Sequence, residues 1–120
     1  MKLWIDDVRE APDGYKWIHS VDEAKYIISL YNNKIDLIDI DHDAGTFSQF
    51  GGDYIKLLDW LEETNQSYPI KIHSMNPVGV QNMRQIIQKN NWEEIKWYVN
   101  ILNRPKIKPD LLKGEKRINE

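Results

Sequence analysis

Short apolar runs that each end on acidic or histidine residues, separated by longer stretches of helical periodicity, constrain this chain more than any other feature. "KLWI" (2–5) stops at Asp6-Asp7, and "YKWIH" (15–19) ends on His19. "IDLIDI" (35–40) runs into Asp41-His42-Asp43, and "PIKIHS" (69–74) ends on His73-Ser74. These read as strands. Between them, Ser20 and Glu23 stand at capping-box spacing, and Ala24, Ile27, Ile28 and Tyr31 share the face of a helix that Asn32-Asn33 closes. A second helix over 53–65 repeats Ile55, Leu58 and Leu61; a third opens with Asn76 as N-cap and Pro77 at its first position. Strands alternating with helices predict an α/β fold whose four- to five-stranded, mostly parallel sheet is covered by helices in three layers. Only "VREAPDGYK" lies between the first two strands, with Pro12, Asp13 and Gly14 as turn residues, so the first helix is truncated or missing.

Beyond residue 90, "NWEEIKWYVNIL" fits either a last helix or a fifth strand, and the strand near Ile95–Ile101 is preferred. One domain over 1–102 and a charged arm over 103–120 are expected from the length of 120 residues and the proline-containing tail. An apolar fraction of 41% with five tryptophans is that of a packed globule, and Trp60 falls in the apolar period of its helix. The formal charge of −3 offers no basic field, so non-specific nucleic-acid binding is not expected. The chain has no cysteine, hence no disulfide framework and no thiolate metal site. No apolar run approaches membrane-spanning length and the first residues do not form a signal peptide, so a cytoplasmic location and no membrane partner are expected.

In parallel sheets ligands bind at the carboxyl ends of the strands. Here that edge gathers all three histidines with Asp6, Asp7, Asp41 and Asp43. Carboxylates so crowded require solvent, a proton or a cation, and Asp6, Asp7 and Asp41 supply the oxygen ligands that Mg²⁺ or Mn²⁺ prefers. His42, between Asp41 and Asp43, suits proton transfer near neutral pH. His73 precedes a helix N-terminus, where Ser74, Asn76 and Gly79 suit a phosphate seat. Arg9 either clamps a phosphate or pairs with Asp7. Asp36 is expected at the strand entrance in solvent, Asp39 beside a buried base or behind the site, and His19 as a partner of the helix cap. Gly45, Gly51 and Gly52 suggest a tightly turned or movable loop.

An acidic pair after strand one, an aspartate after strand three and a serine after strand four resemble bacterial response-regulator receiver domains, whose fold is flavodoxin-like. The resemblance matches Asp6 and Asp7 to the Mg²⁺ pair, Asp41 to the phosphoryl acceptor and Ser74 to the phosphoryl contact. The departures are the missing first helix, no Met-Pro after Asp41 and no lysine closing a fifth strand, for which Lys96 is a poor match. "LWIDDVREAP", "IDIDHDAG" and "IHSMNPVGVQNM" together resemble more closely the cyclic-phosphate-processing receiver-like family, over roughly residues 2–90. That resemblance implies a phosphoesterase role on a cyclic phosphate or nucleotide, with His42 and His73 joining Asp6, Asp7, Asp41 and Asp43 in the site.

Two functions follow as expectations. The first is a metal-dependent phosphoesterase in which His42 or His73 protonates the leaving oxygen, Asp43 orients His42, and Arg9, Ser74 and Asn76 hold phosphate oxygens. The alternative is a non-catalytic receiver-like signalling or phosphate-sensing module that binds a protein partner. The inserted histidines and a length that leaves no room for an output domain favour the enzyme. A haloacid-dehalogenase-like phosphatase fails on order, because "DIDHD" does not lie on the first strand.

Overall fold

The computed structural model describes residues 1–96. Four strands, β1 (Lys2–Ile5), β2 (Tyr15–Ile18), β3 (Leu37–Ile40) and β4 (Ile70–Ile72), form one sheet in the order β2-β1-β3-β4. Every pairing is parallel. Three α-helices follow β2, β3 and β4 in turn: α1 (Val21–Leu30), α2 (Ile55–Glu63) and α3 (Pro77–Lys89). This is the small receiver-like α/β fold expected, and residues 6–14 join β1 to β2 without a helix. Among the described residues the three helices pack on one face of the sheet, so two of the three layers expected are present. After α3, Glu94 bridges Ile70 in parallel on the outer side of β4. Of the strand expected near Ile95–Ile101, Ile95 N–H donates to the Ile70 carbonyl at 2.8 Å. Residues 97–101, the domain boundary at 102 and the arm over 103–120 lie outside the described residues.

Register explains where the core and the site fall. Leu3 pairs with Ile38, and Ile5 with Ile18 and Ile40, so these residues share one face of the sheet. They join Ala24, Ile28, Leu57, Leu58, Leu61, Met83 and Ile87 of the helices in one buried cluster. The connections through α1 and α2 step the same way across the sheet, so right-handed crossovers lay both helices on that face. The intervening positions carry Trp4, Trp17, Asp39 and Lys71 in a single row on the opposite face. Two residues further along, period-2 alternation brings Asp6, Asp41 and His73 to that same side at the carboxyl edge.

Local signals mostly act as expected. Ser20 Oγ accepts from the Glu23 amide, but Glu23 Oε1 accepts from the His19 amide and not from that of Ser20, so the capping box closes one residue early. Asn76 Oδ1 accepts from Gly79 N–H and Pro77 stands in the first turn of α3. Trp60 is half-buried at the margin of the core. Among the described residues, no helix is long and apolar enough to cross a membrane.

Candidate active site

The centre of the site is His73, buried and held from both sides. Its Nδ1 lies 2.7 Å from Asp39 Oδ1 and its Nε2 lies 2.8 Å from Asp6 Oδ2, both carboxylates being buried. The two contacts fix the plane and direction of the ring from both sides. The Trp4 ring stacks on the imidazole at 3.8 Å, with an interplanar angle of 1°. Asp39, ambiguous from sequence, is therefore the carboxylate behind His73. Lys71, next to Asp39 in the row, has its ammonium pKa lowered by burial against the pull of that carboxylate.

The chain after β1 turns back on itself. Asp6 Oδ1 accepts from the Val8 amide at 3.0 Å and the Arg9 amide at 2.8 Å, an Asx-type turn that carries Arg9 over the pocket. Arg9 Nε then reaches Asp6 Oδ2, and its terminal nitrogen reaches Asp41 Oδ2, each at 3.1 Å. The pairing of Arg9 with Asp7 anticipated from adjacency is replaced by this bridge, because the turn aims the side chain inward. Two indoles fix the loop: Trp4 Nε1–H donates to the Arg9 carbonyl and Trp17 Nε1–H to the Asp6 carbonyl, both at 2.8 Å.

Charge is distributed unequally among the carboxylates. Burial pushes the Asp6 carboxyl up, yet the Arg9 and Val8 amides and His73 outweigh it and hold the carboxyl below its ordinary 3.8. Asp7 moves the other way: burial raises it, and the charges of Asp6 and Asp41 raise it further. Asp7 Oδ2 also lies against Gly45, whose φ of +55° and lack of a Cβ permit the approach.

A pH dependence of stability follows from Asp6. Its folded value lies below 3.8, so the unfolded chain takes up the proton first as pH falls. The Asp6 contribution is complete above the ordinary carboxylate value and is lost as pH drops through the depressed one. Urea midpoints followed from neutral to strongly acid pH should fall less steeply on the acid side in Asp6→Asn. Equal slopes in the two proteins would assign the acid loss to other groups.

His42 occupies a second position, at the start of α3. Its Nδ1 lies 2.7 Å from Asp43 Oδ1, and its backbone N–H donates to Asp41 Oδ1 at 2.7 Å. The ring lies on Gly79, where a Cβ would stand 2.5 Å from Cγ and 2.6 Å from Cδ2. Asn76 Nδ2 is 3.4 Å from both Asp43 oxygens. The phosphate seat is narrower than the sequence suggests, because Ser74 Oγ already accepts from the Asn76 amide and Asn76 Oδ1 from the Gly79 amide.

The family model described as the cyclic-phosphate processing receiver domain matches residues 1–89. The chain belongs to that family. Neither the curated proteins nor the solved structures compared with it include a match.

In this receiver domain the residues singled out from sequence fall into two groups. Asp6, Asp41 and His73 each offer one ligand atom, all within 4.8 Å of one another, the spacing of a metal-binding group. His73 stands in that group where Asp7 was expected. Asp43, His42, Asn76 and Ser74 line the adjoining helix start, and Arg9 touches the first group through Asp6 and Asp41. His19 is at the end of β2, with its ring on Trp17 and Phe47 and its Nδ1 3.7 Å from Glu23 Oε1, a partner of the cap as anticipated. Asp36 is exposed at the strand entrance. Trp4 is the site residue that sequence reasoning missed. The available signal was its strand position two residues before Asp6, which places both side chains on one face.

Proposed function

We propose that this receiver domain is a metal-dependent phosphoesterase that opens a cyclic phosphate, a nucleotide being one such substrate. The observation that carries the reading is the oriented His42–Asp43 pair beside the Asp6–Asp41–His73 group. The donor set fits a divalent cation: two carboxylates and a histidine whose other nitrogen is held by Asp39, the arrangement by which a carboxylate fixes a ligating imidazole. Asp6, Asp41 and His73 would hold Mn²⁺ or Mg²⁺, with Asp7 alongside, and the nitrogen donor suits Mn²⁺ better. Bound there, the cation would supply Lewis-acid stabilisation of charge on the phosphate.

The chain's own residues account for binding and for the proton. Arg9, the Ser74 hydroxyl and Asn76 Nδ2 hold non-bridging oxygens. Water adds to phosphorus, one ring P–O bond breaks, and the departing oxygen takes a proton from His42 Nε2. Asp43 accepts from Nδ1–H and keeps Nε2 turned to the substrate. The water's own proton passes to solvent. Val8, Met75 and Val78, exposed at 75%, 85% and 70%, are chain neighbours of Asp7, Ser74 and Gly79 and are apolar groups available to the organic part of the substrate. The alternative, a phosphate-sensing module with a protein partner, draws support from the neutralisation of Asp6 and Asp41 by Arg9 and His73 within the chain.

Phosphorus NMR of a panel of cyclic phosphates, with and without Mn²⁺ or Mg²⁺, tests the reading. Metal-dependent ring opening supports it; no turnover across the panel transfers the case to the sensing module. Gly79→Ala offers a second check at the ring itself. Alanine favours the helix by about 1 kcal/mol, so the fold should persist, while displacement of His42 should lower turnover on the order of tenfold or more. Unchanged turnover would separate the ring's position from the chemistry.

A further inference from the structure

Every inward-facing oxygen of Asp6 and Asp41 is already engaged. Asp6 Oδ1 accepts the Val8 and Arg9 amides, and Oδ2 accepts Arg9 Nε and His73 Nε2, which fills the four sites a carboxylate offers. Asp41 Oδ1 accepts the His42 amide and Oδ2 accepts the Arg9 guanidinium. A cation therefore cannot take the two Oδ2 atoms while Arg9 spans them.

We infer that Arg9 is a displaceable internal cation: it closes the Asp6–Asp41 pair until a divalent cation replaces it, and the released guanidinium then becomes the phosphate clamp. The inference rests on the proposed metal-dependent function and deepens it. His73 stays in place and, as a ligand, exchanges the proton it shares with Asp6 for the cation. Arg9 is the partner that leaves, for three reasons. Its contacts at 3.1 Å are longer than the His73 contact at 2.8 Å. Its side chain is 45% exposed against 6% for His73, so departure returns it to water with little rearrangement. Its backbone is pinned by Asp6 Oδ1 on the amide and Trp4 Nε1 on the carbonyl, so only the side chain swings, and it stays at the rim. A guanidinium freed there keeps five donors in a fork that matches two phosphate oxygens. Cation binding and anion binding are then coupled through one side chain, and the coupling must be reciprocal.

The test is direct binding to the full chain, with Mn²⁺ alone and inorganic phosphate as probes. Arg9→Gln should bind Mn²⁺ about five- to tenfold more tightly than the parent, the scale set by two part-exposed ion-pair contacts. Arg9→Lys, which restores the charge, should return affinity toward the parent value. In the parent, saturating Mn²⁺ should strengthen phosphate binding by a factor that shrinks in Arg9→Gln. Equal or weaker Mn²⁺ affinity in Arg9→Gln overturns the inference, as does an Arg9→Lys affinity identical to that of Arg9→Gln. Absence of Mn²⁺ binding in all three proteins overturns it too. Turnover of a cyclic phosphate without added metal would then leave the phosphoesterase standing and remove only its metal.

Discussion

His42→Ala is expected to lower turnover of a cyclic phosphate by about 10²- to 10⁴-fold, the range a positioned general acid contributes. The argument is geometric. Nδ1 is committed to Asp43 Oδ1 at 2.7 Å, and the ring is seated on Gly79, so one nitrogen is left to exchange a proton with a leaving oxygen. His73 cannot serve equally, because both its nitrogens already face buried carboxylates and Trp4 covers its ring. The two histidines that the sequence left interchangeable are thus given different work. Asp43→Asn should show a smaller loss, since it disturbs orientation and leaves the ring in place. Rates should be read by phosphorus NMR beside a thermal melt of each variant. Parent-like turnover in His42→Ala would remove the proton role and with it the main support for the enzyme.

The fold was legible because its signals are local and repeated. Ser20 and Asn76 mark helix starts by satisfying backbone amides, Pro77 marks one by its fixed φ and missing N–H, and all three do so in the structure. The edge that gathers histidines and aspartates followed from strand direction alone. What the sequence hid was which partner each charge chooses. Arg9 looked like a neighbour of Asp7 until the Asp6 turn swung it over Asp41, a non-local contact across 32 positions. Trp4 counts in the sequence only as one of five tryptophans of a packed globule, and only the register opposite Asp39 puts it on His73. His73 itself reads in one dimension only as the end of the fourth strand, ahead of a helix start. Its burial becomes visible only when β1, β3 and β4 are laid side by side.

That burial has a consequence for stability as well as chemistry. His73→Leu is expected to destabilise the domain by about 3–5 kcal/mol, the cost of removing one partner from a buried ionic group. Leucine fills the space against Trp4 but donates to neither Asp39 nor Asp6, whose side chains are 2% and 0% exposed. Asp6 keeps its two amides and Arg9, so most of the loss should fall on Asp39, which faces Trp4 and Lys71 in the row. Adding Asp39→Leu to His73→Leu should therefore recover part of the stability, because replacing both members by apolar groups removes the stranded charge. At roughly 4–8 °C per kcal/mol for a domain of this size, the single variant should melt well over ten degrees below the parent. Urea unfolding of the parent, both singles and the double closes the cycle. A single-variant loss under about 1 kcal/mol, with no recovery in the double, would mean that the carboxylates find water and that the trio is not the anchor of this edge.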